Sequence, residues 1–125
     1  MVLREITGVS RDSNGHKRRW FHDDYFDLFV RHDEDGELVA VELCYGAGHE
    51  ERALVWKREV GHFHDGPPAK GFDAEVLATR FARASGEVPR RISSSVLRTI
   101  RDFSRVDAPR RPPRLKYRRE GWQER

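Results

Sequence analysis

The 125-residue chain has a single cysteine, Cys44, so no internal disulfide can form, and a lone thiol fits a reducing compartment. It has no apolar run near the roughly 20 residues that a membrane helix needs. Its opening, "MVLREITGVSRDSNG", is too polar for a signal peptide. These absences lead us to expect a cytoplasmic protein with no membrane partner. The chain also lacks a P-loop, a dinucleotide-binding glycine fingerprint and a nucleophile elbow, so nucleotide-dependent chemistry is not expected and no cofactor is assigned. Apolar residues are scarce at 37%, against 36% charged, and the core must therefore be small and rich in the seven Phe, three Tyr and three Trp.

Charge is present in quantity but unevenly placed. Residues 1–79 carry 10 Lys/Arg against 16 Asp/Glu, a net −6, whereas residues 80–125 carry 14 against 5, a net +9. Such a split suits an anionic partner, or two halves of one fold that attract each other.

The stretch "DYFDLFVRHDEDGELVAVELCY" alternates as a β-hairpin, with Asp35-Gly36 as its turn because both residues tolerate positive φ. A two-residue loop sets Val30 opposite Val41, Leu28 opposite Leu43 and Phe26 opposite Tyr45, with Val39 on the same face. Tyr25, Asp27, Phe29, Arg31, Ala40, Glu42 and Cys44 take the other face. A slip of one residue would set Glu42 against Leu28, so the apolar pattern resists it; a four-residue loop keeps the same faces. "RALVWKREV" continues the sheet with Leu54 and Trp56 on the core side, and residues 2–7 supply a short first strand. The apolar face needs a cover. In "GFDAEVLATRFARASG", Val76, Leu77, Phe81 and Ala84 recur at helical spacing, with Asp73 as N-cap and Gly86 as terminator. Pro89 suits the first position of a second helix, on which Ile92, Val96, Ile100 and Phe103 form one stripe. The expected fold is α+β: an antiparallel meander of three or four strands, then two packed helices. Residues 1–104 form a single domain and 105–125 a flexible, basic, proline-rich tail.

"RRWF" at 18–21, "DDYFDLFV" at 23–30, "LCY" at 43–45 and "ERALVW" at 51–56 together resemble a group of small bacterial proteins of unassigned function. The resemblance covers about residues 2–104 and leaves the basic tail unmatched. It implies a compact bacterial domain and carries over no catalytic residue.

Four sets of residues are candidates for function. In the tail, Arg110, Arg111, Arg114, Lys116, Arg118 and Arg119 surround Tyr117 and Trp122, a composition that neutralises phosphates and stacks on unpaired bases of RNA or DNA; a solvated tail has the same composition. His62 and His64 point to one side of an extended segment, as two metal ligands do, but no third ligand is marked and a polar turn explains them equally. His22 with Asp23, Asp24 and Asp27 forms an acid–base group if these residues converge in a pocket; ordinary cross-strand ion pairing on the solvent side also explains Asp27 and Arg31, and a strand start after a turn explains Asp23 and Asp24. Tyr25, Phe29 and Val55, with Ala40, Cys44 and Ala53, make the second sheet face more apolar than a solvated face: either it meets another chain, as a homodimer or with another protein partner, or the first strand and connecting loops fold over it. The reading preferred from sequence is a small binding or accessory protein acting through protein–protein contact. The alternatives are a nucleic-acid binder and a small His/Asp-dependent enzyme.

Overall fold

The computed structural model describes residues 2–6, 15–46, 52–65 and 74–103, with backbone alone at 63–65 and 103. Six strands come first: β1 (Arg4–Ile6), β2 (Lys17–His22), β3 (Phe26–His32), β4 (Leu38–Tyr45), β5 (Arg52–Lys57) and β6 (Gly61–Asp65). Two helices follow, α1 (Ala74–Ala84) and α2 (Arg90–Phe103). The strands lie side by side in chain order, each antiparallel to the next. The α+β class and the meander match expectation, but the sheet has six strands, not three or four. The extra ones, β2 and β6, read "KRRWFH" and "GHFHD", where cations, histidines and glycine obscure the strand pattern.

The central hairpin keeps the expected register, with Phe26 opposite Tyr45, Leu28 opposite Leu43 and Val30 opposite Val41. Its loop is longer than two residues. Register shifts between Arg31 and His32, so that His32 meets Leu38. Asp33 and Glu37 close the turn through a backbone bond of 2.9 Å, and Gly36 takes a φ of +84° that favours glycine.

Opposite residues on antiparallel strands share a face, so the register sorts the side chains. Phe21, Leu28, Val30, Val41, Leu43 and Leu54 form the face that the helices cover. From the helices come Ala74, Leu77, Ala78, Phe81 and Ala84 of α1, and Ile92, Val96 and Ile100 of α2. Phe81 meets Phe26 edge-to-face at 5.7 Å. Val76 does not join this core: it is 64% exposed, because the small alanines complete the buried stripe instead. Pro89 stands one place before α2, where its carbonyl accepts from the N–H groups of Ile92 and Ser93 at 2.9 and 3.0 Å. The N-terminal segment is tied to the end of α1 by the Leu3 N–H donating to the Ala84 carbonyl at 2.8 Å. Burial pushes the Tyr45 hydroxyl up to about 12, with Arg52 opposing.

The second sheet face has its own buried cluster of Trp20, Phe29, Cys44, Ala53 and Val55, with Ile6 packed against it. Trp20 and Phe29 are cross-strand partners, and their rings stack at 5.6 Å.

Candidate functional site

Two places collect chemistry-bearing side chains. The larger is a cleft of about 720 Å³ between the helix-covered face of the sheet and α2. Its floor follows from register. Arg19, Val41, Trp56 and His62 line it in one cross-strand row that runs through the buried Val30 from β2 to β6, and Lys17, His32 and Leu38 form the next row. The wall is the face of α2 that carries Arg91, Ile92, Ser95, Arg98, Thr99 and Asp102. The turn residues Asp33, Glu34 and Glu37 stand at one end.

The cleft mixes charges, but several are already engaged. Asp33 Oδ1 accepts from the Asp35 and Glu37 N–H groups at 2.9 and 3.0 Å, and Asp33 Oδ2 lies 3.2 Å from Arg58. These donors hold the Asp33 carboxyl below its usual range, the Glu37 N–H most of all. Arg19 grips Glu5 in a bidentate pair, with both bonds at 2.7 Å, which lowers the Glu5 carboxyl and raises the Arg19 guanidinium. Glu37 and Arg91 approach at 3.9 Å, both well exposed.

His32 and His62 border the cleft as neutral-leaning imidazoles. Burial lowers His32, and the Arg19, Lys17 and Arg91 cations add to the effect against Asp33. Burial lowers His62 too, while Asp102 opposes. His32 Nδ1 is shut off from solvent and has no hydrogen-bond partner among the described residues.

The second place is the far face of β2 and β3. His22 and Asp27 are cross-strand partners, and His22 Nδ1 lies 2.7 Å from Asp27 Oδ1. The Trp20 indole Nε1–H donates to the same oxygen at 2.8 Å. Asp27 is 2% exposed, whereas the His22 side chain is 47% exposed. On β4, the Cys44 thiol donates to Glu42 Oε2 at 3.2 Å, and both residues are fully buried. Buried carboxylates are expensive unless hydrogen-bonded, and Asp27 has its donors here.

Of the expected acid–base cluster, the structure joins His22 to Asp27 and gives Asp23 and Asp24 other places. His22 pairs with Asp27, not with its sequence neighbours. Asp23 Oδ1 accepts from the Tyr25 and Phe26 N–H groups at 2.8 and 2.7 Å, which makes it the capping residue of the turn between β2 and β3. Asp24 is exposed in that turn, beside a second cleft of about 650 Å³ that Tyr25 and Arg80 also line. Asp27 is not a solvent-side ion-pair residue. The i, i+5 spacing of His22 and Asp27 around a turn was the available signal.

The apolar second face is not an open patch either. Phe29 and Val55 are buried within the single chain, and Tyr25 lies half-buried on the helix side, with the Arg80 guanidinium 3.5 Å from its ring centroid. On β6, His62 pairs with Trp56 and His64 with Leu54, and His62 reaches the cleft; the His64 side chain is outside the described residues. Among the described residues no three His, Cys, Asp or Glu side chains converge as a metal site. Arg110, Arg111, Arg114, Lys116, Tyr117, Arg118, Arg119 and Trp122 lie outside the described residues. No described helix is long and apolar enough to cross a membrane.

The molecule is thus an antiparallel six-strand meander sheet with two helices on one face and a cleft under the second helix. No protein-family model, curated protein or solved structure matches the chain.

Proposed function

We propose that the protein is a small binding module, and that the cleft between the sheet and α2 takes a low-molecular-weight ligand. The observation that carries this reading is the cleft itself. Its volume of about 720 Å³ falls in the range of ligand pockets. Leu38, Val41, Trp56 and Ile92 give it an apolar interior, and Lys17, Ser95, Arg98 and Thr99 give it polar groups from two separate elements. Regular secondary structure on both sides favours a preformed site. The reading keeps the chain a binding or accessory protein and moves the contact from the second sheet face to the cleft. It treats the motif-bearing strands β2 to β5, which resemble the small bacterial group, as the floor that shapes the site.

The test is a thermal-shift screen of small polar compounds against the wild-type protein and Ser95→Trp. Ser95 is half-buried on the cleft side of α2, so an indole there fills the space. Compounds that stabilise the wild type and not the variant support the reading. Equal stabilisation of both places the ligand elsewhere.

A second reading, a small enzyme using His22, is favoured by one observation. A carboxylate accepts hydrogen bonds only, so Asp27 assigns the proton to His22 Nδ1 and leaves Nε2 as a base on a half-exposed ring. That is the dyad geometry in which a buried carboxylate orients a general base. If hydrolytic or isomerising activity is found, His22→Gln must abolish it; activity that survives the substitution rules the reading out.

A further inference from the structure

We propose that the ligand of the cleft carries a compact oxyanion, a phosphate or sulfate group, seated between Lys17 of β2, the cross-strand neighbour of His32, and Arg98 of α2. The inference rests on the cleft being a ligand site and names the chemistry of its occupant.

Three observations carry it. Lys17 and Arg98 both line the cleft, from opposite walls, and neither has an ion pair among the described residues. The hydroxyls of Ser95 and Thr99 lie on the same wall as Arg98, one helical turn apart, and add neutral donors. His32 Nδ1, directly across the strand pair from Lys17, is buried and lacks a hydrogen-bond partner among the described residues. An oxyanion between Lys17 and Arg98 satisfies both cations, and a protonated His32 gives it one more charge-assisted donor.

The acidic residues of the cleft do not occupy this place. Asp33 is held by its own turn and by Arg58, and Glu37 is an exposed partner of Arg91. Glu34 belongs to the same turn, and Asp102 stands at the opposite end of α2 near His62. Facing His32 are therefore Lys17 and Arg19 from β2, Arg91 from α2 and Asp33 beside it, three cations against one carboxylate. Burial, and then that positive field, lower the His32 pKa in the empty site. A bound oxyanion offsets the field's share of that shift, so binding favours the protonated His32 and affinity rises as pH falls.

Sulfate is the probe of choice because it stays a dianion from about pH 5.5 to 7.5, where histidine titrates. Titration at fixed ionic strength, followed by amide NMR, is expected to shift Lys17, His32, Ser95 and Thr99 with a dissociation constant below about 1 mM at the acidic end. Binding weakens several-fold toward pH 7.5. Lys17→Met and Arg98→Met each weaken it about tenfold, and His32→Asn removes the pH dependence while the fold, checked by the same spectra, persists. Inorganic phosphate shifts the same amides. If other small compounds bind the cleft but neither sulfate nor phosphate does, the oxyanion assignment falls and the ligand site stands. If no compound perturbs the cleft, both fall. Sulfate binding that ignores Lys17→Met and Arg98→Met, or that His32→Asn leaves equally pH-dependent, overturns the assignment.

Discussion

Lys17 and His32 face each other across β2 and β3, an ammonium set opposite an imidazole whose Nδ1 is buried. Burial lowers the His32 pKa below its ordinary value of 6.5, and the Arg19, Lys17 and Arg91 cations add to the effect against Asp33. The sign of the consequence is fixed. The unfolded chain binds the proton more readily, so the contribution of His32 to stability is complete above about pH 6.5 and is lost as pH falls through the lower folded value. His62 acts in the same direction. Urea unfolding at a series of pH values is expected to show stability declining below this point, and His32→Asn is expected to flatten the decline. An unchanged slope in the variant would remove His32 from the account.

Asp23 is a turn residue. Asp23→Ala removes the acceptor for two backbone N–H groups, one of them the buried Phe26 N–H, and is expected to destabilise the protein by about 1–2 kcal/mol. Asp23→Asn keeps an acceptor oxygen and recovers most of that loss. Equal losses in both variants, read by chemical denaturation, would show that the charge matters and not the cap.

Asp27 holds two donors on one oxygen. Asp27→Ala leaves the Trp20 indole N–H without this partner in a buried cluster, at about 1–3 kcal/mol. It also frees His22 to change tautomer. Ring ¹⁵N shifts are expected to report a proton on Nδ1 of His22 in the wild type and a mixture in Asp27→Ala. A wild-type ring protonated only on Nε2 would contradict the dyad.

Phe81 and Val76 lie five residues apart on α1 with opposite fates. Phe81 is fully buried against Phe26, so Phe81→Ala is expected to destabilise by about 3–5 kcal/mol. Val76→Ser, at an exposed position, is expected to stay within about 0.5 kcal/mol of the wild type. Thermal midpoints of the two variants make the comparison directly.

The parts of the fold legible in the sequence are those where apolar alternation is clean. Leu28, Val30, Val41 and Leu43 pin the register of the central hairpin, and Ile92, Val96 and Ile100 mark the buried side of α2. Val76 misled because a valine outweighs alanine in an apolar count, while packing uses the shape of Ala74, Ala78 and Ala84 to bring α1 close. The second strand hid its pattern because its core-side positions are Lys17, Arg19 and Phe21, the first two facing the cleft. The site was legible only in fragments. His22 stood out beside Asp23, Asp24 and Asp27, but it is the pairing of β2 with β3 across the turn that selects Asp27 as its partner. The cleft was not legible at all: it depends on how α2 sits over rows of residues drawn from five strands.

The most direct measurement is amide NMR of the full chain during a small-ligand titration, with the shifted residues mapped onto the fold. The account predicts that the largest changes fall on Leu38, Val41, Trp56, Ile92 and Ser95, which come from two strands and α2 and meet around the cleft. Changes confined to His22, Asp27 and their neighbours, with the cleft residues unmoved, would contradict it.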